Sequence, residues 1–220
     1  MSDPAPRPGD RPAVLVTRLA ELEHIPAGGG LWGPIRRTMG VTAFGVNAYL
    51  AERDGDQVIE EHDELGSGSG HHEELYVVLA GTATFTVGGE TIAAPAGTLV
   101  FLPDPAVRRG AVAEEAGTRV LVVGGRPGAA LPTAPYEHWF AADPACRAGD
   151  YERAIEIASA GLVDHAENGG LLYQLACYHA LAGHREAAID HLRRAYAADP
   201  RTREWAATDE DLASVRDAVD

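Results

Sequence analysis

The chain changes texture once, near Pro132, and that change divides it into two unlike parts. Before it, short runs alternate apolar and polar residues between turns rich in Gly and Asp; after it, the text is Ala-rich with helical spacing. Alternation with period two builds half-buried strands, and a period near 3.6 builds amphipathic helices. The segment Arg126–Pro135, with its three prolines and one glycine, interrupts both patterns and reads as the linker. The expectation is an α+β, multi-domain chain. An antiparallel β-barrel over 1–130 carries a loose tail over about 1–12, and a helical domain with a terminal cap helix follows over 136–220.

Within the first part the predicted strands are Val41–Leu50, Gln57–Leu65, Leu75–Val87, Glu90–Ala94, Thr98–Leu102, Val107–Ala113 and Thr118–Val123. Arg53-Asp54-Gly55-Asp56 supplies a turn and Gly88-Gly89 a tight hairpin. Short strands at this spacing imply a sandwich or barrel. Leu75-Tyr76-Val77-Val78-Leu79 is apolar on both faces, so it needs cover from inside and from outside.

In the second part Gly149-Asp150-Tyr151-Glu152-Arg153-Ala154-Ile155 recurs as Gly183-His184-Arg185-Glu186-Ala187-Ala188-Ile189, an offset of 34 residues. That period, with Leu175, Ala176, Gly183, Ala188, Ala195 and Pro200 at small or apolar positions, resembles the tetratricopeptide repeat. The resemblance implies helical hairpins that dock a partner or a second subunit. The last segment, with Thr208 as N-cap and Asp211 three residues on, reads as a solvating cap helix.

Composition narrows the partners. The chain has 220 residues; its 18 basic residues are all Arg, against 33 acidic ones, for a formal charge of −15. Such a balance repels phosphate backbones and anionic lipid, which argues against nucleic acid and membrane partners. No apolar stretch is long enough to span a bilayer, and the opening MSDPAPRPGDRP lacks the apolar core of a secretory signal, so the expected location is cytoplasmic. Cys146 and Cys177 fall in helical text and read as free thiols.

The first part resembles the cupin family, jelly-roll β-barrels, over roughly residues 40–125. The resemblance rests on Glu74-Leu-Tyr-Val-Val-Leu-Ala-Gly81, the Gly88-Gly89 hairpin, and Gly89-x5-Pro95-x-Gly97 leading to Leu102-Pro103. Metal-binding cupins use three histidines and one glutamate, and Glu74 matches the glutamate. The commonest spacing puts the paired histidines at Gly68 and Gly70, which cannot ligate. Treating 66–70 as an inserted loop puts Glu60 and His62 there instead, and Val58, Glu60, His62 and Glu64 would share one strand face. The third histidine position falls on Arg108, a permanent cation with donors only, suited to pairing with Glu74.

The resemblance therefore implies a cupin site without its ligand set, expected to need no cofactor and to bind a small polar or anionic molecule. Its candidate contacts are Asn47, Glu60, His62, His72, Glu74, Tyr76 and Arg108. A divalent metal, if one binds, would take Glu60, His62 and Glu74, with His71 or His72 able to swing in from the Gly-rich loop. Cupin relatives commonly pair through their sheets, so a homodimer is implied. The alternative is an enzyme, either a metal-dependent oxygenase or a metal-independent isomerase or epimerase working through His62, Glu74 and Tyr76. A scaffold with a filled barrel is the third reading, in which His62 and Tyr76 are core residues.

Overall fold

The computed structural model describes residues 14–27, 29–66 and 70–219. The expected tail over 1–12 lies outside the described residues. The chain divides into two compact units, Met1–Ala130 and Leu131–Asp220.

Among the described residues the first unit holds ten strands: β1 (Ile25–Ala27), β2 (Gly30–Gly33), β3 (Gly45–Leu50), β4 (Gln57–His62), β5 (Glu73–Ala80), β6 (Thr82–Val87), β7 (Glu90–Pro95), β8 (Leu99–Leu102), β9 (Arg109–Ala113) and β10 (Arg119–Gly125). They form a six-stranded sheet ordered β1-β2-β3-β10-β5-β8 and a four-stranded sheet ordered β4-β9-β6-β7. Neighbours pair antiparallel throughout. The inner faces enclose an apolar core in which Tyr76 of one sheet meets Phe85 of the other edge-on, ring centroids 5.5 Å apart.

Three features depart from the sequence reading. The run Leu75–Val87 is two strands in different sheets. Between them Gly81 turns the chain at φ +70°, where an added Cβ would lie 2.8 Å from Thr118 Cα. Only glycine combines that dihedral with that approach. Strands β1 and β2 carry too few β-formers to be read in advance. The strand expected from Val41 begins only at Gly45, and an unexpected short helix, α1 (Ile35–Met39), precedes it, ended by Gly40 in the left-handed region at φ 65°.

The doubly apolar run of β5 is covered within the unit on one face only. Tyr76 and Val78 are buried, whereas Leu79 is 43% exposed on the other side, beside Leu99 at 65% and Phe101 at 55% on β8.

The second unit is helical: α2 (Pro135–Arg147), α3 (Tyr151–Ser159), α4 (Gly169–Leu181), α5 (Arg185–Ala198) and α6 (Arg201–Ala206). The 34-residue offset is visible as structure. Gly149 and Gly183 both turn at positive φ, 77° and 80°, immediately ahead of α3 and α5. Leu175, Ala176, Ala188 and Ala195 are fully buried where the helices approach. The expected cap helix is not regular. Asp209, not Thr208, caps a short 3-10 turn over Glu210–Leu212, and Leu212, Val215 and Val219 are buried in the helical core, so this segment completes the core instead of solvating it. Cys146 and Cys177 are both free. No helix among the described residues is long and apolar enough to cross a membrane.

Candidate functional site

The polar cluster forms at one end of the sheets, from three strand ends and the loop between β4 and β5. Tyr76 lies in an inner-face row with Val122 and Asn47, and Glu74 lies one step further toward the mouth, opposite Gly124 and Leu102. Across the core, Arg109 of β9 pairs with Val87 and His62. Its side chain has no exposed surface.

That position corrects the sequence reading. Arg108 is not in the barrel: its side chain is 58% exposed and its Nε donates to Glu61 Oε1 at 3.0 Å on the outer face. The parity of β9 is set by volume. Ala111 sits opposite Phe85, whose ring fills the space inside, so Ala111, Ala113 and Arg109 face in while Val112 and Arg108 face out. The family spacing points one residue early.

The alternation expected along β4 is corrected as well. The β4–β9 pairing slips between Gln57 and Ile59 and again between Ile59 and His62, so alternation fails. Val58 and Ile59 are both buried, Glu60 and Glu61 are both exposed, and His62 and Glu64 turn inward. Glu64, buried beside Glu74, is the member that motif counting leaves out, although strand alternation places it on the face of His62.

The cluster is tightly connected. Arg109 Nη2 donates to Glu74 Oε2 at 2.7 Å and its Nε to the same oxygen at 3.1 Å, while Nη1 donates to the carbonyls of Val107 at 3.0 Å and Pro105 at 3.3 Å. Tyr76 donates its hydroxyl to Glu74 Oε2. His62 Nε2 lies 3.2 Å from Glu64 Oε1 and 3.8 Å from Glu74 Oε2. His72 straddles the carboxylates, Nδ1 3.3 Å from Glu64 and Nε2 3.3 Å from Glu74. It reaches them because Gly124 has no side chain; a Cβ there would lie 2.6 Å from the imidazole. His71 is exposed, with φ 50°.

The electrostatics follow from these contacts. Burial alone would raise the Glu74 pKa, but hydrogen bonds from His62, Tyr76 and Arg109, with the guanidinium charge, outweigh it and hold the carboxyl at about 2. Burial, followed by the charge of Glu74, pushes the Tyr76 phenol well above its usual range. His62 is raised, first by its bond to Glu74, against burial and the Arg109 charge. Its tautomer is fixed from the other side: Nδ1 lies 2.6 Å from the Glu60 carbonyl, which only accepts. A neutral ring would therefore point a lone pair at Glu64, and the imidazolium does not.

The nitrogen and oxygen donors of His62, Glu64 and Glu74 lie within 4.8 Å of one another. They nevertheless do not suit a resident divalent ion. Glu74 Oε2 already accepts from a guanidinium and a phenol, and Arg109 Nη2 also stands 3.5 Å from Glu64. A cation there would sit against a fixed, buried positive charge, and both carboxylates already face Arg109 and an imidazole.

Beside the cluster lies a cavity of about 300 Å³ whose lining includes Trp32, Tyr49, Gln57, Glu60, His62 and Tyr76. Trp32 and Tyr49 are directly opposed cross-strand partners. Asn47 and His72 instead border a second hollow, with Arg36 and Arg126, and Asn47 Oδ1 is buried with no hydrogen-bond partner among the described residues. The structure thus brings together His62, His72, Glu74 and Tyr76 of the expected set, leaves Glu60 at the cavity rim, and separates Arg108 from all of them.

A family model for the AraC-like ligand binding domain matches residues 69–176, from the loop before β5 to within α4. Together with the two-sheet architecture, this match supports a cupin domain in the first unit. No curated protein matches the chain. Among solved structures, a cupin protein from Bacteroides fragilis is 17% identical, covering 56% of this chain and 93% of that one, with a TM-score of 0.42. The nucleoside dehydratase Pac13 of Streptomyces is 19% identical, covering 50% and 82%, with a TM-score of 0.38. A sugar phosphate isomerase from Silicibacter pomeroyi is 17% identical, covering 51% and 76%, with a TM-score of 0.41.

Proposed function

We propose that the first unit is a metal-independent binding domain for a small, uncharged polar molecule with a flat face. The observation that carries this reading is the lining of the 300 Å³ cavity. Trp32 and Tyr49 offer ring surface, Gln57 and Glu60 offer polar contacts, and no arginine is among the lining residues. An anion would meet Glu60, and the one basic side chain of the lining, His62, is already engaged by Glu64 and Glu74, so of the polar and anionic ligands expected from sequence the neutral class is preferred. Nucleosides and hexoses are suitable probes. Titrating them by calorimetry should give saturable binding that weakens at least tenfold in Trp32→Ala and in Tyr49→Ala. Binding only of carboxylates or phosphates, unaffected by these changes, would overturn the reading.

A second reading, an isomerase- or dehydratase-type acid/base enzyme, is favoured by one observation. His62 is 35% exposed, lines the cavity, and is backed by Glu64 at 3.2 Å, as a proton-transferring imidazole requires. Tyr76, with its phenol held protonated, would orient the substrate beside it. His62→Ala that keeps probe affinity and abolishes turnover would establish this reading; unchanged turnover would exclude it.

The partners are part of the same proposal. The exposed row Leu79, Leu99 and Phe101 on the outside of the six-stranded sheet suits a second copy of the chain. The helical hairpins, read as tetratricopeptide-like, suit a protein partner.

A further inference from the structure

The second unit carries a group of imidazoles that the barrel reading does not use. His179 lies in the last turn of α4, His184 immediately precedes α5, and the backbone N–H of His184 donates to the carbonyl of His179 at 2.8 Å, which fixes the two relative to each other. Their Nδ1 atoms are 3.3 Å apart. His184 Nε2 lies 3.1 Å from Glu152 Oε1 on α3. His191 stacks on His179, centroids 5.1 Å apart, with its Nδ1 buried and without a partner among the described residues.

Protonation follows from these contacts. Glu152 can only accept, so the neutral His184 ring carries its proton on Nε2 and presents a lone pair at Nδ1. That lone pair and the facing Nδ1 of His179 are spaced like two ligands of one tetrahedral ion: zinc–nitrogen bonds of about 2.0–2.1 Å at the tetrahedral angle set nitrogens about 3.3–3.4 Å apart. A carboxylate on the far nitrogen of a ligating imidazole is the arrangement that orients such a ligand. Imidazole nitrogens favour zinc, nickel and copper over magnesium or calcium. The surrounding chain, at a net charge of −15, attracts cations.

We propose that His179 and His184 bind a zinc-class divalent cation, with Glu152 holding His184 in register and His191 stacked behind His179. The competing arrangement is a plain imidazole–imidazole hydrogen bond, and the experiment separates the two. The full-length chain with His62→Gln and His72→Gln, which removes the two imidazoles of the barrel cluster, is stripped with chelator, desalted and titrated with ZnCl2 by calorimetry. The expected result is one zinc per chain, reversed by chelator, with affinity at least tenfold weaker after His179→Gln or His184→Gln. Glu152→Gln should weaken it about 10–100-fold. Absence of binding at millimolar zinc, or binding indifferent to both histidine substitutions, overturns the proposal. Should a variant lose helical circular dichroism, histidine ring resonances of the unaltered chain decide. Zinc-induced shifts at His179 and His184 support the site, and shifts confined to His62 and His72 refute it.

Discussion

The cluster at the mouth of the sheets turns on which of two adjacent arginines is inside. Arg109 is fully buried and neutralises Glu74, while Arg108 is a surface ion-pair partner of Glu61. Removing one member of a buried pair strands the other, so Arg109→Met should cost about 3–5 kcal/mol in urea unfolding. Arg108→Ala should stay within about 0.5 kcal/mol. The same contacts set an acid limit. Glu74 falls from an ordinary 4.5 to about 2, so its contribution is complete above pH 4.5 and is lost as the pH drops toward 2, on the order of 3 kcal/mol in all. His62 is raised above 6.5, so its contribution is complete below pH 6.5 and fades as the pH climbs through the folded-state value. Urea midpoints should therefore peak between these limits, and Glu74→Gln should flatten the acid side. Glu74 was legible in the sequence from the family spacing, Tyr76 from sharing its strand face, and His62 from alternation once 66–70 is treated as an inserted loop. Arg109 was not, because the parity of β9 depends on the volume of Phe85, a residue of another strand. Glu64 was legible from alternation and hidden from motif counting.

Among the elements, the strands that were legible are those bounded by turn chemistry, such as β6 and β7 around Gly88-Gly89. The break between β5 and β6 was not, since a single glycine in an apolar run reads as continuation. What makes Gly81 a corner is the close approach of Thr118, a contact from the far side of the sequence. Gly81→Ala should therefore cost about 2–4 kcal/mol, combining left-handed strain with overpacking. Gly97→Ala, at φ +91° with no atom within 4 Å of the added carbon, should cost about 1 kcal/mol. Thermal unfolding of the two variants side by side checks the difference. The helices of the second unit were legible for the opposite reason: their glycine turns and small buried residues lie close together in the chain, so local text determines them. The final segment was misread because Leu212, Val215 and Val219, at i, i+3 and i+7, form a helically spaced apolar stripe that the reading as a solvating cap passed over; all three are buried.

For the whole molecule, the division near residue 130 follows from a difference in hydrophobic period. Each unit has a core of its own, one under the two sheets and two clusters among the helices. What single-chain patterning does not convey is the outer face of β5 and β8, where apolar side chains meet solvent. If a second copy covers that face, Phe101→Glu should convert a dimer to a monomer in light scattering without changing the circular dichroism. A monomeric parent protein would refute the pairing. The slipped ladder between β4 and β9 carries a different lesson. Because two irregularities are already accommodated there, losing one codon just before His62 would exchange an imidazole for a carboxylate at the mouth, with the rest of both walls keeping its pairing. This barrel can change the side chain at its mouth by a shift in strand length, without waiting for a substitution at the site itself.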